Sequence, residues 1–477
     1  MKNRLQEYIN NLNSHLTDKN LFYFVRNPER GLGLETLINN YHLIHIQNSQ
    51  YTDYFKDNGV KFYCQECEAG IEMNPQGGTR ILFNDPKVIE YLSRSKKKLE
   101  YAQTFKINPA YEKKLQGLGF KSLNTSSQLN REFEEKVTQY ENLKQYVKFP
   151  KTIIDLFGTL SYLELVHELG QTFVVQFSRG HTGSGTHVIE TEEEFNSLQN
   201  ENNQRKAKFS TYVAGIAYTL NACITSSGVF MGGLSLQITG DQDLGALWGS
   251  TIGNDWSSRI NLDNVNQIIK ETETIGSLMF KKGFRGMFGV DFMVKESGEV
   301  FVIEINARQT ASVPIYTKMQ LLREEVPLSL IHLYEFMGLK IDLNPKEYNL
   351  ANLQPENFSQ ITNRAHEPLK INHCMKMGVY RLQGDNAAQN RFTDEIAPTT
   401  VFLDEDRDKA LLYQKYVTNI ADMDRQGVLV LTPIKGRLLN SGDEIVKIQL
   451  NQNTIDSKGE IIPWIKEALI AIKEHQI

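Results

Sequence analysis

Asp291, Glu304 and Asn306 are oxygen-bearing side chains that a single hairpin would bring together. The runs Met287–Val294 and Val300–Asn306 are rich in β-branched and aromatic residues, and Ser297-Gly298 between them is a turn signal. A two-residue loop at Ser297-Gly298 sets Asp291 directly opposite Glu304, and Asn306 then projects from the same face. Facing carboxylates repel. A divalent cation between them turns that repulsion into coordination. Carboxylate and amide oxygens without thiols suit a hard ion such as Mg2+, whose shell usually needs phosphate oxygens as well. The spacing therefore predicts a metal–phosphate site, against the plain alternative of an exposed acidic face. Arg308 lies two residues beyond Asn306 and is aimed at the same side. A guanidinium there would stabilise charge on a transferring phosphoryl group or orient a carboxylate.

Residues 1–125 alternate short strands and helices, with strands at Leu21–Val25, His42–Gln47 and Thr79–Phe83 and a helix begun by Asp85-Pro86. That alternation predicts an open α/β sheet. Gly31-Leu-Gly-Leu-Glu has only two glycines and reads as a plain βα turn. Ser127–Tyr146 reads as one long polar helix carrying Glu132, Glu134, Glu135 and Lys136, and a second helix covers Thr159–Leu169. A strand at Thr172–Phe177, a loop with Gly180, Gly183 and Gly185, and a strand at His187–Ile189 follow. Such a loop leaves backbone N–H groups free for an anion and can fold over phosphates as a lid; a bare hairpin tip is the alternative.

Further strands are expected at Phe209–Val213, Ala217–Ala222 and Leu234–Ile238, and 241–261 reads as a loop. An amphipathic helix, Asp263–Lys282, stops at Gly283 just before the hairpin, and another helix covers Leu328–Met337. Asn344–Leu369, rich in Asn, Pro and Gln, reads as a linker or an extended wrap. Strands near Met377–Leu382, Val428–Thr432 and Glu444–Gln449 and a helix at Pro463–Glu474 then suggest a small β-rich appendage.

With 477 residues the chain can hold two to four domains, and its net charge of -5 gives no reason to expect nucleic acid or an anionic membrane as a partner. No apolar run approaches the roughly 20 residues of a membrane span, and the first residues lack a signal-peptide core. Four cysteines do not make a disulfide framework, so a cytoplasmic location is expected. Cys64 and Cys67 form a CxxC, half a zinc site or a redox pair, but Cys223 and Cys374 are remote, which favours a structural role.

The order of these parts, and above all Gly289-Val-Asp291-Phe with Ile303-Glu304-Ile-Asn306-Ala-Arg308, resembles the ATP-grasp superfamily. It is most similar to the carboxylate–amine ligases and the biotin-carboxylase-like architecture. The resemblance implies a multidomain α/β and α+β fold: an N-terminal open α/β domain (1–125), an ATP-grasp domain (126–340, glycine-loop subdomain about 150–212) and a linker with a β-rich domain (341–477). It implies that Asp291, Glu304 and Asn306 hold two Mg2+ ions on ATP, with Mn2+ as an alternative ion, and that Arg308 is the catalytic arginine beside the transferred phosphate. Gly183, Ser184 and Gly185 would form the phosphate lid, Lys136 would be the first ATP-binding lysine, and the backbone at Thr211 and Val213 would read the adenine edge.

Two positions depart from the family pattern. Gln176 stands where a lysine is usual, with Arg179 as a substitute, and Ala217 stands where an acidic residue is frequent. The implied function is an ATP-dependent ligase that joins a small-molecule carboxylate to an amine, amino acids or peptides, through an acyl phosphate. A homodimer is compatible with this. The alternatives are a biotin-type carboxylase, disfavoured by Ala311-Ser-Val-Pro314 where such enzymes carry a glutamate and His-Pro, and a nucleotide-binding regulatory protein without turnover.

Overall fold

The computed structural model describes residues 2–73, 78–178, 185–246, 249–258, 260–383, 400–402, 410–415, 427–456 and 459–477. The chain opens with a helix, Lys2–His15, and a parallel five-stranded sheet. Its strands are β1 (Lys19–Val25), β2 (Tyr41–His45), β3 (Lys61–Cys64), β4 (Leu99–Thr104) and β5 (Lys121–Ser122), in the order β3-β2-β1-β4-β5. Leu21–Val25 is buried throughout, as a central parallel strand covered on both faces must be. The expected strand at Thr79–Phe83 is instead a 3-10 helix, Gly78–Asn84. Its apolar residues Leu82 and Phe83 pack under the sheet as a run too short to separate from a strand by periodicity. Asp85 caps the next helix, Pro86–Arg94, by accepting from the Lys87 N–H. Gly33 has a φ of +121° and lies against Thr317, so the Gly31-Leu-Gly turn is a packing turn.

A second, four-stranded sheet holds β6 (Thr152–Leu156), β7 (Phe173–Phe177), β8 (Thr186–Ile189) and β9 (Lys206–Thr211), in the order β6-β9-β7-β8. The helices Tyr162–Leu169 and Glu192–Asn202 cover it, each begun by a capping box, around a core of Phe157, Phe173, Phe177, Phe195 and Phe209.

The third sheet is the largest. It begins with β10 (Ile216–Thr225), β11 (Gly228–Thr239), β12 (Thr251–Asp255), β13 (Gly286–Val294) and β14 (Val300–Asn306). It continues through β15 (Ser359–Arg364), and β16 (Leu369–Lys370) branches off. β17 (Gly378–Gln383), β18 (Thr400–Phe402), β19 (Ala410–Lys415) and β20 (Gly427–Leu431) follow, then β21 (Leu438–Leu439) and β22 (Glu444–Leu450). Eleven of these strands form one sheet in the order β14-β13-β10-β11-β12-β15-β22-β20-β17-β19-β18, and β16 pairs with β21. The C-terminal strands other than β16 and β21 therefore extend the sheet of the acidic hairpin. The seam is β12–β15, which corrects two expectations at once: 241–261 contains a strand, and 344–369 contains the helix Pro345–Asn352 and β15. The helix Leu262–Lys281 packs Ile268, Ile275 and Met279 beneath the hairpin.

Cys64 and Cys67 are joined as a disulfide where β3 passes into the short helix Gln65–Ala69. Among the described residues no helix is long and apolar enough to cross a membrane.

Candidate active site

The hairpin reaches the expected pairing by an unexpected route. Lys295 and Glu299 close a three-residue loop, with Gly298 at φ +86°, so Val294 pairs with Val300 and the register beside the turn is one residue away from that of a two-residue loop. A bulge at Ile303 then absorbs one residue of β14, and from there Asp291 faces Glu304 and Gly289 faces Asn306. The bulge also turns the Ile303 carbonyl out to the Lys208 ammonium, 3.2 Å away.

The long helix expected over Ser127–Tyr146 is two helices, Ser127–Glu134 and Lys136–Leu143, separated by Glu135 in an extended conformation (ψ 124°). In one continuous helix residues 134 and 136 would point roughly 200° apart. The break lets both reach the end of β14. The Lys136 ammonium donates to Glu304 at 2.8 Å. The Glu134 carboxylate takes the Ala307 N–H at 2.9 Å and the Arg308 Nε at 2.8 Å, and a third donor, Lys106, reaches it at 2.9 Å from the end of β4. Burial alone would raise the Glu134 carboxyl; Arg308 and then Lys106 outweigh it and hold it below its ordinary value.

Asp291 has the opposite balance. Burial first, and the facing Glu304 second, push its carboxyl up to about 6. It accepts from the Thr219 hydroxyl, from the Gln237 amide at 2.8 Å and from the Asn306 amide at 3.0 Å. Asn306 uses its other end to accept from Arg308 at 3.0 Å. Asp291, Asn306, Arg308 and Glu134 thus form one hydrogen-bonded chain, with Glu304 opposite Asp291. Among the described residues no group of three or more His, Cys, Asp or Glu side chains is placed to hold a metal. The donors here are two carboxylates and an amide, a set that fits Mg2+ only when ligand and water oxygens complete the shell.

Gln176 is buried in β7, its amide 3.3 Å from the Thr186 hydroxyl. Gly185 directly precedes β8 and accepts the Phe177 N–H. Thr211 ends β9 with its N–H donated to Lys151, and Val213 lies buried in the link to β10. Arg179, Gly183 and Ser184 lie outside the described residues.

Sequence reasoning missed Glu134, Lys106, Lys208, Thr219 and Gln237. Strand pairing sets Thr219 beside Asp291, whereas the alternation Lys206-Ala-Lys208 puts Lys208 on the face of the exposed Lys206 and gave no sign of its burial. Glu134 carried none, because a helix model turned it away from Lys136.

Residues 133–312 match the family model of an ATP-grasp domain. The chain contains an ATP-grasp domain and has the ATP-grasp fold. Solved structures of like fold include an ADP complex of N5-carboxyaminoimidazole ribonucleotide synthetase, at 11% identity, TM-score 0.56 and coverage of 96% of this chain and 97% of that one. The Aspergillus clavatus N5-carboxyaminoimidazole synthase, bound to ADP and 5-aminoimidazole ribonucleotide, matches at 13% identity, TM-score 0.56 and 94% and 98% coverage. The biotin carboxylase domain of the Hydrogenobacter thermophilus 2-oxoglutarate carboxylase, in complex with MgADP, ADP and bicarbonate, matches at 11% identity, TM-score 0.58 and 91% and 86% coverage. At these identities the likeness is one of fold. No curated protein sequence matches the chain.

Proposed function

We propose that this protein is an ATP-dependent ligase that joins a carboxylate to an amine through an acyl phosphate. The observation that carries the reading is the cluster at the end of the hairpin, where Asp291 faces Glu304 and Arg308 is held beside Asn306 by Glu134. The substrate carboxylate attacks the γ-phosphorus of ATP, the bond to the bridging oxygen breaks, and ADP leaves. The amine then attacks the acyl carbon, phosphate departs, and a proton is lost from nitrogen. Arg308 orients the carboxylate and stabilises charge on the transferring phosphoryl group; Glu134 fixes its guanidinium in place. Lys136, at the first turn of its helix, neutralises Glu304 and stands ready for a phosphate oxygen. Asp291, Glu304 and Asn306 would hold two Mg2+ ions, with Mn2+ as an alternative, which would supply charge neutralisation on the polyphosphate. Gln176, Arg179, Gly183, Ser184 and Gly185 are assigned to the phosphates, and the Thr211–Val213 backbone to adenine.

Amino acids or small peptides are the proposed substrates, with a cytoplasmic location and a homodimer as parts of the same reading. A second reading takes bicarbonate as the acid, giving a carbamate. The bicarbonate bound in the structurally similar 2-oxoglutarate carboxylase domain favours it. ADP release from Mg-ATP, measured with pooled amino acids and separately with bicarbonate plus amines, tests both. Release stimulated by an amino-acid pair supports the first reading, and bicarbonate-dependent release supports the second. Nucleotide binding without release under any condition would overturn both.

A further inference from the structure

Lys208 is a buried cation that the mechanism above does not use. It lies in β9 at 1% exposure and pairs directly with Gln176 of β7 on one side and Ile154 of β6 on the other. Directly paired residues project from the same face of a sheet. Lys208 and Gln176 therefore share a face, and that face is turned towards the acidic hairpin, because the Lys208 Nζ reaches the Ile303 carbonyl at 3.2 Å.

An ammonium has three donors. Among the described residues Lys208 directs one at a neutral carbonyl, and its Nζ lies over the Phe149 ring, 5.5 Å from the centroid. Glu304 attracts it at a distance, but that carboxylate is already hydrogen-bonded to Lys136, which repels Lys208. Burial, with Lys136 adding to it against Glu304, lowers the ammonium to about 8. A buried charge without a paired counter-charge is costly, and such groups concentrate at ligand sites.

We propose that Lys208 binds a phosphate oxygen of the nucleotide, supplying from β9 the positive charge that the neutral Gln176 does not supply from β7. The assignment rests on the nucleotide reading above and deepens it. One phosphate oxygen facing Lys136 and Lys208 together would relieve their mutual repulsion and leave Glu304 free for a cation. It also gives Gln176 a distinct part: its amide, held by Thr186, orients without adding charge.

The test compares ADP with adenosine, which shares the base and ribose but carries no phosphate, by calorimetric titration in Mg2+. Lys208→Gln should weaken ADP about tenfold or more, as expected for loss of a charge-assisted hydrogen bond, and leave adenosine unchanged. Moving the charge back one strand, in Gln176→Lys with Lys208→Gln, should restore the preference for ADP, which a purely structural lysine would not do. An ADP-to-adenosine preference equal to the wild type's in Lys208→Gln would overturn the assignment. Where Lys208→Gln alone does not fold, the double variant decides: retained preference supports the proposal and lost preference overturns it. A wild-type protein that binds no ADP removes the nucleotide reading and this assignment with it, which separates the two failures.

Discussion

Asp291 is the residue at which stability and the proposed chemistry conflict. Its carboxyl is raised from 3.8 to about 6, chiefly by burial and then by Glu304. A folded value above the ordinary one means that the group contributes stability at low pH, which is lost as pH rises through about 6. At neutral pH the metal-free protein therefore carries two facing charges at a net cost. Asp291→Asn should raise the melting temperature at about pH 8, with a gain on the order of 1 kcal/mol, and the advantage should fade as pH drops towards 4. A melting-temperature series across pH checks this, and an advantage independent of pH would contradict it. The pairing of Asp291 with Glu304 was legible from alternation alone. Lys208 was not, because a lysine in a strand ordinarily marks the solvent face, and only its depth below β14 shows otherwise.

At the scale of elements, two local irregularities build the site. The Ile303 bulge corrects the register that the three-residue loop displaces, so the expected pairing holds although the expected loop does not. The break at Glu135 brings Glu134 and Lys136 to one place. Both escaped the sequence reading because helical and strand periods describe uninterrupted elements, and an interruption of one residue leaves composition unchanged. β4 was missed because Leu99-Glu-Tyr-Ala-Gln-Thr has too few β-branched and aromatic residues to announce a strand. The break makes Glu134 a positioning residue. Glu134→Gln should cost about 2 kcal/mol of stability through weaker contacts to Arg308 and Lys106. It should lower kcat for ADP release about 100-fold as the guanidinium loses its alignment. Urea unfolding and steady-state kinetics read the two effects separately; a kcat equal to wild type would place Arg308 outside the reaction.

Across the whole molecule, the N-terminal α/β region and the C-terminal strands are tied together by one buried and one part-buried ion pair. Arg437 donates to both oxygens of Glu66, at 2.7 and 3.0 Å, and to the Asn48 carbonyl at 2.6 Å. Lys447 of β22 reaches both oxygens of Glu29, at 2.8 and 2.9 Å. Residues hundreds of positions apart make these contacts, so no sequence period could reveal them. For the same reason the strands after Ser359 read as an appendage when they continue the central sheet. Removing one partner of a buried pair leaves the other charge uncompensated, so Arg437→Met should destabilise the protein by about 3 kcal/mol. It should also speed proteolytic cleavage between the N-terminal sheet and the rest, and an unchanged cleavage rate would show that the pair does not hold these parts together.

The central claim is that the end of the hairpin holds a metal-bound nucleotide. It is tested most directly by titrating ADP into the wild type and into Glu304→Gln, each in Mg2+ and in EDTA. The wild type should bind ADP more tightly in Mg2+, about tenfold or more for a charge-assisted contact, and Glu304→Gln should abolish the difference. Equal affinity with and without Mg2+ in the wild type, or a Mg2+ effect that survives Glu304→Gln, would contradict it.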